Sequence, residues 1–158
     1  MLEDSGLIPD RLTLEITETN VMSDAARTID LFERLAALGI RLSVDDFGTG
    51  YSSLSYLQRL PVDEVKVDQV FVRQMVADSN ADAIVRSVLD LAGHMDLHVV
   101  AEGVEDRATW DRLHSLGCAE AQGYFLARPM PAGELTEWAA QLGRLHLVDP
   151  PLVRPVSA

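Results

Sequence analysis

Asp45 and Asp46 stand side by side at the end of an apolar run and lead into the string FGTGYSS. Neighbouring side chains on a strand point to opposite faces, so two adjacent carboxylates converge only if the backbone turns at the strand end. There they can aim at one cation or at two neighbouring ones. Gly48 and Gly50 permit the tight loop geometry that a nearby substrate or metal requires. The same string also reads as a turn-forming aspartate pair beside a glycine turn, and alone it does not separate the two. Glu15, Asp68 and Glu102 extend the pattern from three other short β-like runs, with Lys66 among them and no His or Cys suitably placed. All-oxygen ligation suits Mg2+ or Mn2+ better than Zn2+. Two such ions about 3.5–4 Å apart are a common device for phosphodiester hydrolysis. Divalent cations also reverse the sign of a pocket otherwise too acidic to admit a phosphate. The constellation therefore points to metal-dependent phosphoryl chemistry.

Five β-like runs have to position these groups: Leu12–Thr17, Leu42–Phe47, Asp63–Asp68, His98–Gly103 and Ala119–Tyr124. Helical stretches alternate with them. Ser23 can cap a helix whose apolar side is Ile29, Phe32, Leu35 and Leu38, with Gly39 as its stop. A short helix is expected around Leu54, Leu57 and Leu60, ending at Pro61. Asp82–Gly93 repeats the pattern with Ile84, Val88 and Leu91, and Asp106–Leu116 places Trp110, Leu113 and Leu116 on one side before Gly117. Leu135, Trp138 and Leu142 mark a last helix. Strand–helix alternation implies parallel strands joined by crossovers. A sheet covered by helices on both faces should be apolar on both. Here one face of strand after strand is charged: Glu15; Asp45 beside Ser43; Glu64, Lys66 and Asp68; Glu102. Such groups tolerate burial only where they meet one another, a metal or a ligand, and the C-terminal mouth of a β/α barrel offers that meeting point.

The chain has 158 residues, 13 basic against 25 acidic, for a formal charge of −12. Its 47% apolar and 24% charged content is that of a folded domain. The acidic balance argues against a nucleic-acid polymer as partner. A membrane-spanning run and a signal peptide are both missing from the sequence, and a lone Cys118, read as a small buried filler, fits a cytoplasmic location. The four histidines read as structural or solvated. An eight-unit barrel takes about 250 residues. The expected fold is therefore α/β: an incomplete TIM-like barrel of about five parallel strands with flanking helices, whose two unpaired edges are prone to association. The barrel portion is placed at residues 1–145, and 146–158, with Pro150, Pro151 and Pro155, reads as a flexible tail.

LEITE (14–18), DDFGTGYSSLSYL (45–57), VKVD (65–68), AEGVE (101–105) and QGYFLARPMP (122–131) closely resemble the EAL domain family of cyclic-di-GMP phosphodiesterases. The resemblance runs from about Leu7 to Leu142. It implies a modified β/α barrel that linearises cyclic di-GMP to pGpG with Mg2+ or Mn2+. By the same resemblance, Glu15, Asp45 and Asp46 match metal ligands and Asp68 lies near a second metal. Lys66 matches the residue holding the attacking water, Glu102 a ligand or general base, and Gln122 a water-positioning group. Glu105 matches a supporting carboxylate, or serves only as a helix N-terminal charge. Glu18 matches the anchor of the loop 47–53, in which Phe47, Gly48, Thr49 and Gly50 approach substrate. The Glu-Ala-Leu string occurs nowhere in the chain; the nearest is Gly133-Glu134-Leu135. The family's metal-binding Glu and Asn from that region are expected upstream of Met1, with the first three barrel strands. The resemblance thus predicts an impaired phosphodiesterase that needs a second copy or a complementing segment at its sheet edges. The competing expectations are a non-catalytic module that binds cyclic di-GMP or a partner protein, and a remnant without function.

Overall fold

In the computed structural model, residues 6–23, 25–49 and 57–142 are described. The elements are β1 (Thr13–Thr17), α1 (Glu18–Ser23), α2 (Ala25–Ala37), β2 (Arg41–Phe47), β3 (Glu64–Val67), α3 (Gln69–Gln74), α4 (Ser79–His94), β4 (His98–Glu102), α5 (Arg107–Ser115), β5 (Glu120–Gln122) and α6 (Ala132–Leu142). All five strands are parallel and lie in one sheet in chain order, β1-β2-β3-β4-β5. A doubly wound sheet reverses its strand order part-way across; unbroken order is the winding of a barrel wall. Among the described residues the wall stays open, with β1 and β5 each paired on one side only.

Strand parity divides the sheet into a dry face and a charged one. Leu42, Val44, Val65, Val67, Val99 and Ala101 are buried toward the helices, where they join Phe32, Val72, Val85 and Leu113 in one core. The opposite face carries Glu15, Ser43, Asp45, Glu64, Lys66, His98, Glu102 and Gln122, held in line by the register Glu15↔Ser43↔Glu64↔His98 and Glu102↔Gln122. Asp63 fixes that register at the entry to β3. Its carboxylate accepts from the Leu42 N–H at 2.9 Å, its N–H donates to the Leu42 carbonyl, and its carbonyl accepts from the His98 N–H.

Several helix expectations need correction. Ser23 is the last residue of α1 and α2 begins at Ala25, while the expected cap lies outside the described side chains. Leu38 lies beyond the end of α2 and is exposed, because the chain already turns through Gly39 at φ +82°. Helix α4 starts at Ser79, capped by the Asp78 side chain on the Asn80 N–H. Its buried line is Ala81, Val85, Val88 and Ala92, with Ile84 and Leu91 half-buried at its margins. Small residues let the helix axis approach the sheet, so the largest aliphatics do not mark the innermost line. Short helices α1 and α3 have no counterpart in the expected elements. The expected helix around Leu54, the loop from Gly50 and the tail 146–158 lie outside the described residues, save that Leu57 and Leu60 are buried.

Candidate metal centre

Lys66 is the hub of the charged face. Its side chain is only 7% exposed, and its Nζ donates to Glu15 Oε2 at 3.0 Å. The same ammonium lies 2.6 Å from Glu102 Oε1 and 3.5 Å from Asp45 Oδ1. Each carboxylate comes from a different strand, β1, β4 and β2. Burial works against the charged ammonium, but the hydrogen bonds to Glu102 and Glu15 outweigh it and hold its pKa above the ordinary lysine value. Burial pushes the Glu102 carboxyl above its usual range despite the pull of Lys66.

The two neighbouring aspartates converge through a defect in strand pairing. Val44 pairs with Val65 and Phe47 with Val67, so three steps along β2 match two along β3. The extra residue is a β-bulge, which re-aims side chains at the cost of local strain. Asp46 absorbs it with φ +57°, and its N–H donates to Asp45 Oδ1 at 3.0 Å. Aspartate tolerates this left-handed conformation better than most side chains. As a result, oxygens of Asp45, Asp46 and Glu102 all lie within 4.8 Å of one another. The shift also returns Phe47 to the dry face, where it is buried in the core.

Asp68 closes the other side. It caps α3 by accepting from the Val70 N–H at 2.7 Å, and its carboxyl reaches that of Asp46. Burial, then the charges of Asp45 and Asp68, raise the Asp46 pKa. Crowded carboxylates that resist losing their last proton are a site lacking positive charge. An ion with ligands at about 2.1 Å holds its donors no more than about 4.2 Å apart, so the Asp45, Asp46 and Glu102 oxygens, within 4.8 Å of one another, would need to draw in only slightly to hold one Mg2+ or Mn2+. Asp68 adds an oxygen on the far side of Asp46. The donor set is all oxygen, as those ions prefer.

The remaining candidates surround this cluster at different distances. Glu18 is 3% exposed, and its Oε2 accepts from the Gly48 N–H at 2.9 Å. Gly48 needs to be glycine, since its φ is +102° and a Cβ would press on the Phe71 ring at 3.2 Å. Thr49 Oγ1 donates back to the Asp46 carbonyl at 3.0 Å. Gln122 is the register partner of Glu102 on β5 and is exposed beside it. Glu105 does not join the cluster: its carboxylate pairs with Arg73 of α3 at 2.7 Å. Gly50 lies outside the described residues. Ser43, named from the sequence beside Asp45, is wholly buried on the charged face, and among the described residues its Oγ has no hydrogen-bond partner. One contributor was not singled out from the sequence. Arg73 carried no signal, because α3 was not foreseen.

An open wall of parallel strands in chain order, with carboxylates and one lysine along one face, belongs to the β/α-barrel class of fold. The EAL domain family model matches residues 1–129, and the chain belongs to that family. It is 47% identical over 130 residues to the bifunctional diguanylate cyclase/cyclic di-GMP phosphodiesterase MucR of Pseudomonas aeruginosa, a match covering 82% of this chain and 19% of MucR. The chain thus spans about a fifth of that relative's length. Its structure resembles the PaMucR phosphodiesterase in complex with c-di-GMP, with TM-score 0.82 and 46% identity over 85% of this chain and 54% of that one. It also resembles Klebsiella pneumoniae BlrP1 in a manganese/cyclic-di-GMP complex, with TM-score 0.76 and 39% identity over 81% of this chain and 33% of that one. Among the described residues no helix is long and apolar enough to cross a membrane.

Proposed function

We propose that this chain carries the metal-binding half of a cyclic-di-GMP phosphodiesterase site, which cleaves one phosphodiester to give pGpG. The observation that carries the reading is the convergence of Asp45, Asp46 and Glu102 oxygens within 4.8 Å, beside the buried Lys66. Asp45, Asp46 and Glu102 would hold one Mg2+ or Mn2+, with Glu15 and Asp68 at its flanks. A bound divalent ion would polarise the phosphoryl group and acidify water. Lys66 offers a fixed ammonium to the charge that builds on phosphoryl oxygens, an electrostatic role that needs no proton loss. Burial raises the Glu102 pKa above the usual carboxylate range, which makes it a better acceptor for a proton from the attacking water. The Gly48 N–H held by Glu18 orients the start of the loop toward substrate. The relatives whose complexes contain cyclic di-GMP support this choice of substrate.

Among the described residues β1 and β5 are each paired on one side only, which favours a second element of the proposal. Unpaired strand edges invite further strands, from a longer chain or a second copy, and the site gains donors when the wall closes. With the described strands alone, turnover is slow. The test is incubation with cyclic di-GMP and Mn2+, with pGpG followed by chromatography. Slow release that Asp45→Asn abolishes is the expected result. Binding without release would favour a non-catalytic cyclic-di-GMP module, and neither binding nor release would overturn both readings.

A further inference from the structure

We infer that Arg73 and Glu105 are positioning residues that set the width of the cation site and thereby its preference between Mg2+ and Ca2+. This rests on the metal-centre reading above. The two sides of the cluster belong to different elements. Asp68, which touches Asp46, is the cap of α3; Glu102 ends β4 and enters the turn at Gly103. The two are fastened together away from the carboxylates. Arg73, in the last turn of α3, holds Glu105 at 2.7 Å, three residues past Glu102. Between these points α3 rests directly on the turn. Gly103 has φ +70°, and a Cβ there would collide with Gln69 Cβ and come within 3.3 Å of Arg73 Nε. The next residue is held from the β5 side, since the Val104 N–H donates to the Gln122 carbonyl at 3.1 Å.

Stability alone does not account for the ion pair. Both side chains are nearly half exposed, at 47% and 46%, and such pairs contribute little to folding. Their placement is informative instead: the pair ties the helix capped by Asp68, which neighbours Asp46, to the turn that follows Glu102, and so bears on the spacing between two of the three carboxylates that would share the ion. Mg2+ demands a near-ideal octahedron with short bonds, whereas Ca2+ accepts longer and more irregular ligation. Loosening the clasp should therefore penalise Mg2+ more than Ca2+.

The sign of the effect separates positioning from simple electrostatics. If Arg73 acted only as a nearby positive charge, Arg73→Ala would tighten cation binding, while Glu105→Ala would weaken it. A clasp predicts that both weaken Mg2+. The experiment titrates the whole chain with Mn2+ by electron paramagnetic resonance and displaces it with Mg2+ or Ca2+. In Arg73→Ala and Glu105→Ala, Mg2+ affinity should fall about tenfold, the usual scale for outer partners of metal ligands, and Ca2+ affinity markedly less. Arg73→Lys and the swap Arg73→Glu/Glu105→Arg should recover part of the loss, and circular dichroism should stay unchanged. Opposite shifts in the two alanine variants, or an unchanged Mg2+/Ca2+ ratio, would overturn the inference while leaving the metal centre intact. Failure of the unmutated chain to bind any of the ions would overturn both.

Discussion

Replacing Lys66 by Met removes a charge while nearly conserving shape, and leaves Glu15, Asp45 and Glu102 facing one another without their shared cation. Breaking a buried ion pair by deleting one partner costs about 3–5 kcal/mol. Glu15 is 48% exposed, so water screens its share and the loss at neutral pH should be about 2–4 kcal/mol. That is a large part of the 5–15 kcal/mol typical of a whole domain. The pH dependence has a definite sign. Lys66 has a raised pKa in the fold, so its contribution is complete below the ordinary lysine value and is lost only as pH rises through the higher folded value. Near neutrality the full cost of Lys66→Met is therefore felt. It should shrink in mild acid, where Glu102, also raised, takes up a proton and the repulsion falls. A divalent ion should replace the missing charge: at one hundred times its dissociation constant it adds about 2.7 kcal/mol. Urea denaturation at pH 7, with and without Mn2+, reads these effects as a midpoint lowered by about 1–2 M and largely restored by the metal. A midpoint unmoved by the substitution, or indifferent to Mn2+ in the variant, would refute the role given to Lys66.

Asp46→Asn and Asp46→Ala should both weaken Mn2+ binding. In denaturation, Ala should cost about 1 kcal/mol more, because alanine resists the φ of +57° that asparagine tolerates. Asp63→Ala should lower stability by about 1–3 kcal/mol by orphaning the Leu42 N–H, and calorimetry would show this with Mn2+ affinity little changed. Mn2+ affinity measured across pH should climb as pH rises through the raised pKa values of Asp46 and Glu102. In the free protein these groups keep their protons to higher pH than ordinary carboxylates do, so at the acid end of the titration the ion must displace those protons. An affinity already flat above the ordinary carboxylate range would count against that displacement.

The charged face was legible because strand periodicity is strict. Glu15, Asp45, Lys66 and Glu102 share one parity on four runs, and the structure brings the three carboxylates within reach of the Lys66 ammonium. Asp46 was harder to place. Parity puts it on the dry face, and only a one-residue bulge, a matter of cross-strand register, turns it back. The same bulge explains why Phe47 belongs to the core. Helices α1 and α3 escaped notice because six residues are under two turns, too few for a helical period to emerge. QVFVRQ is moreover rich in β-branched and aromatic residues that read as strand. Missing α3 meant missing Arg73, and with it the true partner of Glu105. On α4, Val88 is buried as its spacing indicates, while the neighbours Val85 and Ala92 are buried in place of the larger Ile84 and Leu91.

The most direct test of the account is a Mn2+ titration of the unmutated chain beside Asp45→Asn, read by electron paramagnetic resonance at neutral pH. The account predicts saturable binding in the former and a loss of at least about tenfold in the latter. Equal affinities in the two proteins, or no saturable binding in either, would contradict the claim that Asp45, Asp46 and Glu102 form a cation site.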